Sequence, residues 1–161
     1  MTGVLIGIAV RTKRKAPVTL RDAAFVSTDG IDGDHAGKRL DRAVSILASE
    51  DWAKACADLH PPADPERDLR WTARRANLLL RGLRLPRAAG ARLLVGPVEL
   101  EVRHQTYPCK RMEDTRPGLL KALAKDWRGG VLCEVVKPGL ITAGAPARIL
   151  SSPPEINRRL P

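Results

Sequence analysis

What most restricts the fold of this chain is a series of short apolar stretches with strand character, each closed by a turn before it can become a helix. Residues 4–10, 24–27, 43–47, 77–80, 92–95, 98–102, 131–136 and 147–150 all read this way. Turn formers stand between them: Pro17, Pro61-Pro62, Gly96-Pro97, Gly129-Gly130, Pro138-Gly139 and Gly144. Only two segments read as helices. One starts at Ser49, expected to cap it, carries Glu50 and Asp51 in its first turn and runs to about Leu59. Trp52, Cys56 and Leu59 recur on one face of it, the face expected to be buried. The other covers residues 119–125. Strands that outnumber helices, without regular β–α alternation, predict a mainly β fold: a barrel or folded sheet with a few peripheral helices. Residues 28–42 read as a loop whose Gly30, Gly33 and Gly37 permit close approach to a ligand. Residues 63–68 read as an exposed polar loop.

A chain of 161 residues fits one domain, expected over residues 1–150, with residues 151–161 as a loose tail. No apolar run approaches the roughly 18–20 residues needed to span a bilayer, so no membrane partner is expected. The first residues show no basic segment or cleavage site of a secretory signal. Three cysteines match no disulfide framework. Together these point to a reduced, cytoplasmic chain. The net charge of +10 calls for an anionic partner. A basic nucleic-acid-binding module is one class that fits, but Lys and Arg are spread along the sequence and aromatics are 3% of it, too few for a base-stacking platform. A phosphorylated cofactor needs the same electrostatics from fewer residues. Neither dinucleotide-binding nor P-loop glycine spacing occurs, and no CxxC, HxxxH or HExxH spacing supports structural zinc.

Among the reactive side chains Cys109 stands apart. It lies in Tyr107-Pro108-Cys109-Lys110-Arg111, where a proline turns the chain out of a strand into a loop. Neighbouring cations favour the thiolate, the form that attacks electrophiles or binds soft metals. Cys56, on the apolar helix face, and Cys133, on a strand face with Val131 and Val135, read as core. His35 follows Gly33-Asp34 in the glycine-bearing loop, a setting for ligand-facing side chains. His60 ends the first helix and reads as a cap. His104 falls either beside the thiol or in solvent. In Arg74-Arg75-Ala76-Asn77 two guanidiniums and an amide enter a strand, and Arg42 precedes another. Arginine forks suit phosphate and carboxylate oxygens. The residues alone leave other readings open: an incidental surface cysteine at 109 and solvated strand ends at the arginines, or a hydrolase or acyl transferase using Cys109 with His35 or His104 as base.

The ordered set of these pieces resembles the MOSC domain, named for the C-terminal domain of molybdenum-cofactor sulfurases. The matching residues are Gly30-Ile31-Asp32-Gly33-Asp34-His35-Ala36-Gly37, then Arg42-Ala43-Val44-Ser45-Ile46 with Glu50. They continue through Arg74-Arg75-Ala76-Asn77-Leu78, Gly82, Leu85 and Gly90-Ala91-Arg92-Leu93 with Gly96. Pro108-Cys109, Gly129-Gly130, Gly139-Leu140-Ile141 and Gly144 complete the set. The resemblance implies a β-barrel-like fold that binds the molybdenum cofactor (molybdopterin). It implies that Cys109 carries sulfur as a persulfide or ligates molybdenum, in sulfur transfer or in reduction of N-hydroxylated compounds. Arg75 and Asn77 are the implied holders of the anionic pterin phosphate, with Arg74, Asp34, His35 and Arg42 as further candidates. The small stand-alone bacterial members are the type expected, without the additional N-terminal β domain of the amidoxime-reducing proteins. No flavin or iron–sulfur module and no pyridoxal-phosphate desulfurase domain is visible. A separate sulfur donor or electron-transfer protein is therefore the expected partner.

Overall fold

The computed structural model describes residues 2–35 and 39–155. In chain order its strands are β1 (Thr2–Val10), β2 (Thr19–Arg21), β3 (Ala23–Ser27), β4 (Gly30–Ile31), β5 (Val44–Ala48), β6 (Leu78–Arg81), β7 (Arg92–Val95), β8 (Val98–Gln105), β9 (Val131–Lys137), β10 (Gly139–Thr142) and β11 (Pro146–Ser151). The helices are α1 (Ser49–Ala57), α2 (Lys110–Thr115) and α3 (Leu119–Ala124). β1 is long enough to serve three partners: β11 along its first residues, β6 along its middle and β2 along its last. The ladder continues from β6 through β5, β9, β8 and β7 to β11, so the β11–β1 pairing closes a seven-stranded barrel. Closure removes the free edges that an open sheet would expose. β5 and β6 pair in parallel, and a parallel pair needs a crossover, which α1 begins. Strands β10, β3 and β4 form a small second sheet.

Side chains alternate across the barrel wall with the two-residue strand period. Ile46 of β5 and Leu78 and Leu80 of β6 point inward, joining Leu5, Leu93, Leu100, Val102 and Cys133 in the barrel core. Leu47 and Leu79 point outward, onto a second core formed by Trp52, Cys56 and Leu59 of the α1 region, Met112 of α2, and Leu119 and Leu123 of α3. All three helices thus lie on one side of the wall. The indole Nε1 of Trp52 donates to Leu69 O at 2.9 Å, satisfying the polar atom of the largest side chain there. Burial pushes the Cys56 thiol up to about 11 and that of Cys133 further still, so both are inert, as their apolar settings lead one to expect.

Several expectations need correction. The 28–42 segment is not all loop: β4 lies in it, pairing with β3, and Leu40–Arg42 is a 3-10 turn. Ala36 and Gly37 of the glycine-bearing motif lie outside the described residues. Ser49 is the first helical residue rather than the cap; its Oγ donates to Glu50 Oε1, and Ala48 takes the cap position without a side-chain bond. The 63–68 segment is not simply exposed, since Ala63 is buried and Asp64 Oδ1 accepts from the backbone of Glu66 and Arg67 to make a turn. Of the 151–161 tail, residues 156–161 lie outside the described residues, and Glu155 is held, pairing with Arg84 and accepting from Arg87 N. Strands β2 and β10 and helix α2 are elements that short, mixed-polarity sequences did not announce.

Candidate functional site

Cys109 is positioned by what precedes and follows it. After β8, Thr106 N donates to Gly130 O at 2.9 Å. The contact needs glycine at 129, because a Cβ there would stand 2.5 Å from Thr106 O. Past Pro108, Cys109 takes an extended conformation at the head of α2, and Met112 N donates back to its carbonyl at 2.9 Å. Met112 is 3% exposed and anchors α2 in the second core, whereas Cys109 is exposed. The chain therefore fixes the backbone on both sides of a thiol that faces solvent.

Two arginines reach this place from the 3-10 turn Trp71–Arg74, which packs against α2. The indole of Trp71 rests on Gly7 of β1, where a Cβ would lie 2.6 Å from Trp71 Cζ2. Arg75 closes the turn with φ 63°, a left-handed conformation costly for a non-glycine residue and found where the surroundings over-determine it. Arg74 Nε donates to Gly129 O at 3.0 Å. Burial pushes its guanidinium down to about 10; negative charge at Cys109 opposes that fall and Arg11 adds to it. It remains a cation at neutral pH, within electrostatic reach of the sulfur. Arg75 Nη2 donates to Ala16 O at 2.6 Å and Arg14 O at 3.2 Å. Burial, then Arg11 and Arg111, lower Arg75, while Asp34 acts the other way. Arg75 Nε and Thr106 Oγ1 are buried and meet no hydrogen-bond partner among the described residues.

The other candidates divide into neighbours and supports. Asp34 Oδ1 accepts from Arg11 N at 3.0 Å and His35 N donates to Arg11 O at 2.7 Å, so both sit at the end of β1 on the side of Arg75. His35 is exposed there. Asn77, at 6% exposure, is turned into the wall: Oδ1 accepts from Ser45 N and Oγ, and Nδ2 donates to Ala9 O. Its amide thereby ties β1, β5 and the start of β6 together. Arg42 is exposed at the end of the Leu40–Arg42 turn, which packs on β8 and β9. There His104 Nε2 lies 2.6 Å from Asp41 Oδ2, giving the histidine a carboxylate rather than bare solvent. That hydrogen bond is the main reason the Asp41 carboxyl sits below its ordinary value; burial opposes it and Arg39 assists. Among the described residues no group of three or more His, Cys, Asp or Glu is placed to hold a metal ion.

Arg11 was not singled out from sequence. The available signal was its position: the first residue past the alternating 4–10 stretch, at the same barrel end to which the Arg74-Arg75 turn leads. Nothing in the sequence paired Asp41 with His104, 63 positions away.

The MOSC domain model matches residues 32–148. Similar solved structures include the YuaD protein from Bacillus subtilis, 17% identical with a TM-score of 0.73, covering 91% of this chain and 94% of that one. YiiM from Escherichia coli is 18% identical with a TM-score of 0.70, covering 95% of this chain and 72% of its own. YiiM from Geobacillus stearothermophilus is 19% identical at the same TM-score of 0.70, covering 92% and 75%. These likenesses establish a shared fold. No curated protein matches the chain.

Proposed function

The chain belongs to the MOSC domain family, and from that premise we propose that it binds the molybdenum cofactor at the Cys109 rim and uses Cys109 to carry sulfur as a persulfide. One observation carries this reading. An exposed thiol lies within reach of the half-buried Arg74 guanidinium, whose Nε donates to a backbone carbonyl, so its positive charge is left to act on an anion. A carbonyl offers a dipole and no full negative charge, and in a partly desolvated site the uncompensated cation attracts phosphate and thiolate alike. The residues fit the cofactor. Arg74, Arg75 and Arg11 would meet the pterin phosphate, the unpartnered Arg75 Nε and Thr106 Oγ1 are free to turn to a ligand, and a thiolate is a soft donor. When bound, the cofactor would supply a redox-active metal suited to atom transfer.

The exposure of Cys109 favours the carrier role over permanent ligation. A sulfur carrier must be visited by its donor, whereas a metal-bound thiolate is better served by burial. The setting that suits the three free thiols is the cytoplasm, where they stay reduced. No described helix is long and apolar enough to cross a membrane.

The test joins metal and pterin analysis with intact-protein mass spectrometry on protein from a cofactor-competent host. The expected result is bound molybdenum and pterin, plus one added sulfur atom on the thiol that reductant removes. Cys109→Ser should lose the added sulfur. Protein lacking all three under conditions that load another MOSC protein overturns the proposal.

A further inference from the structure

The residues after β1, Arg11-Thr12-Lys13-Arg14-Lys15, put four cations into five positions. They are held in place. Arg75 Nη2 clasps the carbonyls of Arg14 and Ala16, Ala16 N closes a turn on Lys13 O at 3.1 Å, and His35 N holds Arg11 O. The side chains of Lys13, Arg14 and Lys15 are exposed. On the other flank Lys110 and Arg111 are exposed directly after Cys109, and Arg111 is near enough to Arg75 to depress its pKa. Positive charge thus gathers around Arg74 and Arg75, and Arg74 feels the charge of the thiol, from two separate parts of the chain. A cofactor phosphate deep among Arg11, Arg74 and Arg75 has no use for the outermost three cations of this arm.

We propose that the arm at residues 11–16, clasped by Arg75, together with Lys110 and Arg111, docks the acidic face of a protein that delivers sulfur to Cys109 as a persulfide. The inference rests on the carrier role assigned above and names the partner that role requires. In the transfer the Cys109 thiolate attacks the terminal sulfur of the partner's persulfide. A new S–S bond forms on Cys109, the partner's S–S bond breaks, and the partner leaves as a thiolate that takes a proton from water. No net oxidation occurs. Clustered charge raises encounter rates with oppositely charged surfaces, and salt screens the effect. A protein partner is favoured over nucleic acid because the rim holds a single exposed aromatic, Tyr107, and so no series of rings on which bases stack. Arg75 is a positioning residue here: it shapes the arm and does not meet the partner's sulfur.

The experiment measures thiol–disulfide exchange between the reduced protein and three synthetic peptides. Each peptide carries one cysteine as its thionitrobenzoate mixed disulfide, flanked by glutamates, glutamines or lysines. Release of thionitrobenzoate gives the rate, each divided by the peptide's rate with 2-mercaptoethanol, a thiol with no other charged group, and Cys109→Ser fixes the background. At low salt the glutamate peptide should react about tenfold or more faster than the lysine peptide, and the gap should close in about 0.5 M salt. Lys13→Glu/Arg14→Glu/Lys15→Glu should abolish or reverse the preference, read as the ratio of each charged peptide's rate to the glutamine peptide's rate in the same protein, and an unchanged circular-dichroism spectrum certifies an intact fold. Equal rates for the acidic and basic peptides, or a preference untouched by the triple reversal, overturn the proposal. So does a single-stranded oligonucleotide that blocks exchange where polyglutamate of equal charge does not, since that assigns the arm to nucleic acid. Exchange needs no molybdenum. Absence of the metal therefore defeats the cofactor reading alone, and loss of charge preference in metal-loaded protein defeats the docking alone.

Discussion

Arg87 and the Arg74–Arg75 pair are withdrawn from solvent by the same barrel, and their charge is handled in opposite ways. Arg87, 5% exposed, meets Asp51 through Nη2 at 3.2 and 3.3 Å and gives Nη1 to Leu85 O, with Asp126 3.6 Å from its Nε. It pins the first turn of α1 to the chain after β6. Burial pushes the Asp51 carboxyl up even with Arg87 beside it, so the pair stays close to break-even between desolvation and attraction. Arg74 and Arg75 donate to backbone carbonyls instead, with the Asp34 carboxylate acting on Arg75, and lie at the edge where the Cys109 thiol opens to solvent. A neutralised buried cation belongs to architecture. A half-buried cation whose donors meet carbonyls keeps a desolvation cost that a full negative charge would offset.

The comparison is broken most directly at Asp51. Asp51→Ala leaves buried Arg87 with only the more distant Asp126 carboxylate and should destabilise by about 3 kcal/mol in urea unfolding. The double change Asp51→Leu/Arg87→Met should return most of that loss, because two matched apolar groups need no solvation. A single-mutant cost below about 1 kcal/mol would mean that Arg87 does not depend on its partner, and the distinction between the two kinds of arginine would fail. Asn77→Ala comes next, at about 2–3 kcal/mol, since it leaves Ser45 N and Ala9 O without their partner inside the wall. Asn77→Ala should not alter the rate at which iodoacetamide alkylates Cys109. If it leaves stability intact and slows alkylation, Asn77 belongs to the site and not to the frame.

Arg74→Gln sharpens the other side. Its effect on stability should be about 1 kcal/mol, the loss of a single hydrogen bond that glutamine can in part restore. Its effect on charge should be plainer: the ratio of Cys109 alkylation by anionic iodoacetate to that by neutral iodoacetamide should fall about tenfold. That is an electrostatic change of ~1.4 kcal/mol, reasonable for a cation near an exposed sulfur. An unchanged ratio would remove Arg74 from the thiol's electrostatic environment.

The contrast between these arginines was invisible in the sequence. Arg74, Arg75 and Arg87 contribute alike to the net charge of +10, and only the fold decides which of them finds a carboxylate. The barrel was legible because strand period and turn residues are local signals, which is why the 4–10, 77–80, 92–95 and 131–136 stretches appear as strands almost as drawn. Helix α2 was not, because Lys110–Thr115 is polar apart from Met112 and stands as a helix through that single anchor. Cys109 was legible as the exposed cysteine because its neighbours are basic, while Cys56 and Cys133 lie among apolar ones. Asn77 carried a misleading signal. An amide next to two arginines looks like a ligand group, yet β6 begins at the following residue and the alternation of the wall turns the amide toward Ser45 and Ala9.

The His104–Asp41 contact is a third way of handling charge, a pair left at the surface, and it should have the smallest effect. The side chains are 42% and 29% exposed, so water screens the attraction and little stability is expected from it. Its pH dependence still has a definite sign. The folded Asp41 carboxyl lies below its ordinary 3.8, chiefly through the bond from His104. An acid whose folded pKa is depressed contributes stability that is complete above the unfolded value and disappears as pH falls through the folded one. The stability difference between the native protein and Asp41→Asn should therefore be flat from about pH 6 down to about pH 4, then shrink toward zero in stronger acid. Urea midpoints of the two proteins across that range supply the measurement. A difference that widens on acidification would mean that Asp41 is held by something other than His104, and that the turn carrying Arg42 is fastened to the barrel by a different contact.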